Sequence, residues 1–261
     1  MTNHSRKDEL AQRLKRESEF HDHMAEADTR RGWFRSWGLS SSALDHAYAR
    51  VGDLSGSGRG ILDLGCGDGR LTRRLIQSGT TILAADVSPA MVAGAFDLLG
   101  SAARETGSTL GCLRMAGEML ALRSESIDIL FGVSVLHHLD LVAVSSEISR
   151  VLKPGGRAIF VEPLAHHPIA RLYRKLTPDR RSKDESPLDL GAIALLETHF
   201  RDVRTAPFHL TSLASVAFTV LNVKPLFDTA LKVLGGLDAS LFRWFPAATR
   251  YAWIAVIEIN K

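Results

Sequence analysis

The sequence predicts an α/β domain built on a doubly wound, mostly parallel sheet with helices on both faces. Three observations carry that prediction. Short apolar runs alternate with amphipathic or capped segments between Gly60 and Glu162. A glycine-rich turn, Gly65-Cys66-Gly67-Asp68-Gly69, follows the first of these runs, and Lys153-Pro154-Gly155-Gly156 stops a helical pattern just before the last of them. Strands that alternate with helices in this way form a parallel sheet, because each crossover helix must lie back on a sheet face.

Residues 4–50 read as helical, with Leu10, Leu14 and Phe20 on a sparse apolar face, followed by the aromatic cluster Trp33, Phe34 and Trp37. Ser55-Gly56-Ser57-Gly58 is a connector of small residues. Ile61 to Leu64 is a short apolar run suited to a buried strand, followed by the glycine turn and a helix through Leu71, Leu75 and Ile76. Thr81 to Ala85 forms the second strand, ended by Asp86. Ser88-Pro89 then opens a helix, Ser at the N-cap and Pro at the first helical position. Leu110 to Met115 and Ile127 to Val133 are the third and fourth strands, Leu141 to Leu152 is an amphipathic helix, and Arg157 to Glu162 is the fifth strand. A polar insert at 163–190 carries Pro168, Pro178 and Pro187. A helix (Ile193 to His199), a long apolar segment and a final strand (Tyr251 to Ile259) complete the chain. This divides the chain into an N-terminal helical lid (1–54) and a sheet domain (55–261), the latter with a substrate-side insertion at 163–250.

Hydrophobic residues at 45% and charged residues at 23% are values of an ordinary globular protein. The net charge is +3, and the densest basic run, Arg171 to Lys183, contains Asp179 and is followed by Asp184 and Glu185. That is a solvated surface and not a phosphate track, so no nucleic-acid partner is expected. Two cysteines, Cys66 and Cys112, imply no disulfide framework. The run His4 to Phe20 lacks the apolar core of a signal peptide, and the longest apolar stretch, Leu210 to Val223, is short for a membrane span. A cytoplasmic location is the expectation.

The chemistry concentrates in Ile61-Leu62-Asp63-Leu64-Gly65-Cys66-Gly67-Asp68-Gly69-Arg70. Alternate glycines after a strand let the backbone turn tightly and let a ligand approach without a Cβ in the way. Asp86 closes the next strand, at the place of an acid that binds ribose hydroxyls. The spacing is G-x-G-x-G, not the G-x-G-x-x-G of dinucleotide sites, and Asp63 stands just before it. A carboxylate there repels a pyrophosphate and suits a ligand with a cationic amino group.

At these residues the chain resembles the class I S-adenosylmethionine-dependent methyltransferases, particularly their small-molecule branch. The resemblance runs from Gly60 to Glu162 through four segments. These are Ile61 to Arg70, Ala84-Ala85-Asp86-Val87-Ser88-Pro89-Ala90-Met91, Val133-Ser134-Val135-Leu136-His137-His138-Leu139 and Leu152-Lys153-Pro154-Gly155-Gly156. It implies a Rossmann-like sheet of seven strands, an N-terminal helical lid and an apolar C-terminal helical insertion. It implies S-adenosyl-L-methionine as cofactor. Asp63, Gly65, Cys66 and Gly67 would lie along the methionine moiety, Asp86 on the ribose, and Val87 and Met91 near the adenine. Gly117, Glu118 and Met119 would lie at the adenine edge, where Ala116 stands in place of the usual acid. Val133 and His138 would lie near the methionine end.

In such a transfer a base is needed only when the acceptor begins protonated. His137, His138, Glu162 and His166 are the candidates, set against packing or backbone-bonding roles for each. A metal site from His166, His167, Asp184 and Glu185 has no recognisable ligand spacing, so none is expected. His21, His23, Trp33, Phe34 and Tyr48 belong to the lid. The apolar tail, with Phe208, Phe218, Phe227, Trp244 and Phe245 among its side chains, suits a pocket for a hydrophobic or aromatic acceptor of natural-product type. It equally suits a helix pair completing the core or a homodimer interface. A further reading is a peripheral membrane contact with Lys224, Lys232 and Arg243 near headgroups, which points to a lipid or quinone acceptor. A third reading is a non-methylating protein that keeps the fold. A nucleic-acid or protein substrate is disfavoured, because His137-His138 stands where an Asn/Asp-Pro-Pro-aromatic motif would.

Overall fold

A computed structural model describes residues 3–26, 41–54, 58–178, 182–220 and 223–261. Its centre is a seven-stranded sheet of β1 (Gly60–Leu64), β2 (Thr81–Asp86), β3 (Thr109–Arg114), β4 (Ile127–Val133), β5 (Leu152–Pro163), β6 (Asp202–Phe208) and β7 (Ile254–Asn260). The order across the sheet is β3-β2-β1-β4-β5-β7-β6. The first five strands are parallel, and β7 runs antiparallel between β5 and β6. Strand order reverses between β1 and β4, which opens a crevice at their carboxyl ends.

Side-chain alternation explains why the central strands are apolar throughout. Leu62, Leu130 and Phe160 point into one core layer, while their neighbours Ile61, Ile129, Ile159 and Val161 point into the other. The first layer is closed by α4 (Leu141–Val151) and α6 (Leu190–His199), the second by α2 (Ser41–Leu54) through Ala43, Leu44, Ala47 and Val51. α3 (Pro89–Thr106) begins as expected, with Ser88 Oγ accepting from the Met91 amide at 3.1 Å, and ends on a left-handed Gly107. α1 (Asn3–Glu26) precedes α2. Trp33, Phe34 and Trp37 lie outside the described residues.

Several boundaries differ from expectation. The helix predicted after the glycine turn is only a 3-10 turn, Thr72–Leu75, because the chain leaves it in extended conformation at Ile76. β5 begins at Leu152 and carries the Lys153–Gly156 segment as an irregularity in its pairing with β4, with Gly155 at φ 74°. The final strand begins at Ile254, since 3-10 turns occupy Pro246–Tyr251. The insert 163–190 holds a helix, α5 (Pro168–Leu176). The apolar tail contributes β6, then α7 (Val216–Val220) and α8 (Lys224–Trp244). Leu213, Phe227 and Ala170 form a small core of their own, joining α8 to α5. No described helix is long and apolar enough to cross a membrane.

Candidate active site

The glycine turn at the end of β1 is shaped by backbone conformation. Gly65, Gly67 and Gly69 all have positive φ, at 72°, 55° and 82°. A Cβ on Gly65 would stand 2.6 Å from Val135 Cγ2, so this glycine is required both by its dihedral and by close approach. The Gly65 and Cys66 amides bond the carbonyl of Ala85, which ties the turn to β2.

Asp86 closes β2 beside it. Its Oδ2 accepts from the Gly67 amide and its Oδ1 from the Ser88 amide, each at 2.9 Å, so the carboxylate is locked between turn and helix start. Asp63 is 2% exposed and accepts from Thr72 Oγ1 at 2.6 Å. Burial pushes its carboxyl up to about 7; the Thr72 bond opposes that, and the charge on Asp86 adds to it. A buried carboxylate raised in this way is suited to a cationic partner. Cys66 turns its side chain into the cluster with Ala84, Ala95 and Leu99, where burial pushes the thiol up, so only its backbone can meet a ligand.

Where the resemblance expects the adenine edge, Gly117 packs against Leu139, and a Cβ there would fall 2.6 Å from Leu139 Cδ1. Glu118 is buried. Its Oε1 accepts from the Asp140 amide at 3.0 Å and lies 3.3 Å from Arg13, while its Oε2 has no hydrogen-bond partner among the described residues. Met119 is largely exposed, and Met91 is buried at the start of α3. Val133 ends β4, and Ser134 after it takes a positive φ of 54°.

His137 and His138 follow, in the 3-10 turn after β4. Glu162 corrects its own assignment: it is fully buried, with Oε1 accepting the Val135 and Leu136 amides at 2.8 Å and Oε2 2.7 Å from His137 Nδ1. Both oxygens are committed, so Glu162 positions the turn and the His137 ring rather than facing an acceptor. A carboxylate only accepts, so His137 Nδ1 carries the proton in this pair. His138 lies 3.1 Å from Glu17 Oε2 through its Nδ1. Burial lowers its pKa, and Glu17 opposes that shift. His166 lies elsewhere, lining a cleft with Leu188, Asp189, Thr205 and Arg250. His167 caps α5 and bonds the Leu210 carbonyl at 2.9 Å, a structural role.

The sequence did not reveal how α1 closes over these loops. Arg13 donates to the His138 carbonyl, Ser18 donates to the Val87 carbonyl at 3.3 Å, and Asp22 accepts from Ser88 Oγ. Arg16 makes a two-pronged bond to Asp184 at 2.8 and 2.9 Å. Glu17 is buried and accepts from Ser182 Oγ at 2.5 Å. Burial pushes the Glu17 carboxyl up, but His138, His21 and Ser182 outweigh it and hold it well below the usual carboxylate range. Of the expected lid group, His21 joins this cluster, while Tyr48 packs on Phe131 beneath the sheet and donates to the Leu71 carbonyl at 2.7 Å.

Residues 62–160 match a family model described as a methyltransferase domain. An uncharacterized methyltransferase of Mycobacterium tuberculosis is 36% identical over 104 residues, which span 40% of this chain and 40% of that relative. The ubiquinone biosynthesis O-methyltransferase of Methylococcus capsulatus is 34% identical over 196 residues, 65% of this chain and 78% of the relative. Among solved structures, phosphoethanolamine N-methyltransferase 2 of Haemonchus contortus, with S-adenosyl-L-methionine, superposes with a TM-score of 0.61 at 17% identity. That match covers 93% of this chain and 60% of the other, and it shows a shared fold. With the glycine turn at the end of β1, where the strand order reverses, and Asp86 closing β2 beside it, the chain belongs to the class I S-adenosylmethionine-dependent methyltransferases.

Proposed function

We propose that the protein transfers a methyl group from S-adenosyl-L-methionine to a small acceptor with a hydrophobic or aromatic body, of the kind met in natural-product or quinone biosynthesis. The observation that carries this reading is the joint geometry of Asp63, the three positive-φ glycines and Asp86. A buried carboxylate lies next to a turn where Gly65 and Gly69 leave no room for a Cβ, and a second carboxylate is bonded to its Gly67 amide. The residues fit the cofactor. Asp63 has the burial that favours an ammonium partner, the Gly65–Gly67 backbone lies open to the methionine chain, Asp86 is placed for ribose hydroxyls, and the orphaned Glu118 Oε2 can accept from an exocyclic amine.

When bound, the cofactor supplies an electrophilic methyl on a sulfonium. The protein's task is to align the acceptor and exclude water. α1 supplies the cover through Arg13, Glu17, Ser18 and Asp22. His138, whose pKa is lowered by burial, is the candidate to take a proton from a hydroxyl acceptor at neutral pH, and His137, held by Glu162, shapes the wall beside it. The Methylococcus relative, named for ubiquinone biosynthesis, supports an aromatic oxygen acceptor.

The test is calorimetric titration of the wild type and Asp86→Ala with S-adenosylhomocysteine. Saturable binding is expected, weakened about tenfold to a hundredfold in the variant, the scale of a charge-assisted hydrogen bond. A folded wild type that does not bind would overturn the reading.

One observation favours a lipid-like acceptor met at a membrane. α5 exposes Ile169, Leu172, Tyr173 and Leu176 at 53%, 58%, 41% and 71%, at the i, i+3, i+4, i+7 spacing of one helical face. Arg171 and Lys175 flank that face, and α8 adds exposed Val233, Leu237 and Trp244 with Lys224, Lys232 and Arg243. Co-sedimentation with anionic vesicles, lost in Leu172→Glu, is the expected outcome; no sedimentation of the wild type removes this reading.

A further inference from the structure

Three metal-ligating groups meet where α1 crosses the turn after β4. Glu17 Oε2 lies 3.1 Å from His138 Nδ1 and 3.5 Å from His21 Nε2, and one ligand atom from each of the three residues falls within 4.8 Å of the others. Ligands about 2.1 Å from a tetrahedral Zn2+ stand about 3.4 Å apart, so the two separations are short enough for the donors to share one ion. Glu17 Oε2 is buried, and no aligned hydrogen-bond donor reaches it despite the two imidazole nitrogens at its side.

The surroundings support the donors. Glu17 Oε1 is fixed by Ser182 Oγ at 2.5 Å, an outer contact of the type that orients metal-binding carboxylates. His138 also belongs to a second triplet with His137 and Glu185, and His137 is oriented through Nδ1 by Glu162. Arg13 nearby is held by Glu118 and by the His138 carbonyl. Two imidazoles with one carboxylate are a donor set for Zn2+ or a neighbouring first-row ion; Ca2+ and Mg2+ prefer oxygen alone.

We propose that Glu17, His21 and His138 bind a divalent first-row transition-metal ion of the Zn2+ class, clasping α1 to the turn after β4. Glu17 and His21 lie one turn apart on α1, and His138 joins them from the turn after β4, more than a hundred residues away. The site goes beyond the methyl-transfer reading; with Nδ1 on the ion, His138 Nε2 carries the ring proton, so an ion bound here leaves that ring no base role.

The experiment uses tag-free full-length protein, stripped with EDTA and titrated with ZnCl2 by calorimetry and with CoCl2 by visible absorption. Uptake of about one equivalent with the d–d bands of a nitrogen- and oxygen-ligated Co2+ is expected. Glu17→Gln and the half-exposed His21→Ala should each weaken Zn2+ binding at least about tenfold, while His199→Ala, on the far end of α6, leaves it unchanged. S-adenosylhomocysteine titrations of the same samples report separately on the cofactor site. A folded wild type that takes up no stoichiometric metal, or equal affinity in Glu17→Gln and His21→Ala, would overturn the proposal.

Discussion

Glu162 Oε2 stands 2.7 Å from His137 Nδ1, while its Oε1 takes the amides of Val135 and Leu136. One buried carboxylate thus fixes both the backbone after β4 and the ring it presents. In Glu162→Gln the amide nitrogen must face either a backbone N–H, losing that contact, or His137 Nδ1, where the ring must change tautomer and the charge-assisted bond is lost. Urea denaturation should show a loss of about 1.5–3 kcal/mol, the scale of a hydrogen bond to a charged group. An unchanged midpoint would show that the pair does not hold the turn.

Gly65→Ala tests the turn itself. The substitution places a Cβ at positive φ, costing roughly 1–2 kcal/mol, and drives it into Val135. The expected result is a folded but less stable protein whose affinity for S-adenosylhomocysteine is reduced. Gly107→Ala, at φ 67° with open space around it, carries the dihedral cost without the clash and should leave cofactor affinity untouched.

Asp63 makes stability and binding move in opposite directions. Its folded pKa is about 7 against an ordinary 3.8, so between those values the native state keeps a proton that the unfolded chain has lost. Stability therefore falls as pH rises through that window and is flat above it. Asp63→Asn, which keeps an acceptor for Thr72, should be more stable than the wild type at pH ~8, by on the order of 2–4 kcal/mol. The gain should vanish near pH ~4. The same variant should bind S-adenosylhomocysteine about tenfold more weakly, having lost the partner of the ammonium group. Thermal melts across pH, with and without ligand, decide both.

His209 gives the reverse slope. It sits in a relay in which Ser42 Oγ lies 3.2 Å from Nε2, Nδ1 lies 3.0 Å from Ser212 Oγ, and Ser212 donates to Asp238 at 2.6 Å. Burial depresses its pKa to about 4, so it stabilises the fold fully above pH ~6.5 and that stability is lost as pH falls toward 4. The difference in stability between wild type and His209→Asn should shrink by about 3 kcal/mol across that interval. Asp238, whose carboxyl is raised by burial but held below its ordinary range by Ser212 and Thr211, loses its contribution only at lower pH. A difference that stays constant from pH 7 to pH 4 would refute the relay.

Much of the sheet was legible because its signals are local. Ile127 to Val133 coincides with β4, and Ser88-Pro89 opens α3, since an apolar run and a cap each act within a few residues. β6 was not placed, because Arg204 and Thr205 are exposed on an edge strand and break the apolar run. The helix after the glycine turn was overdrawn: Leu71, Leu75 and Ile76 have helical spacing, yet Ile76 is needed to start the return toward β2. Asp63, the glycines and Asp86 were readable because the turn chemistry that needs them lies in adjacent residues. Nothing local separates Glu17 from Glu19, although the first is buried on the His138 turn and the second faces solvent. That difference arises only when α1 meets β4.

α1 touches Val87 and Ser88 after β2 and His138 after β4. With cofactor and acceptor bound as proposed, one element would contact both sites, and their affinities would be linked by the free energy of moving it. Whichever ligand closes the helix tightens the site for the other by the same factor, as thermodynamic reciprocity requires. If entry to the inner site requires the helix to swing away, turnover is ordered, and the lifetime of the closed helix sets the rate at which product leaves.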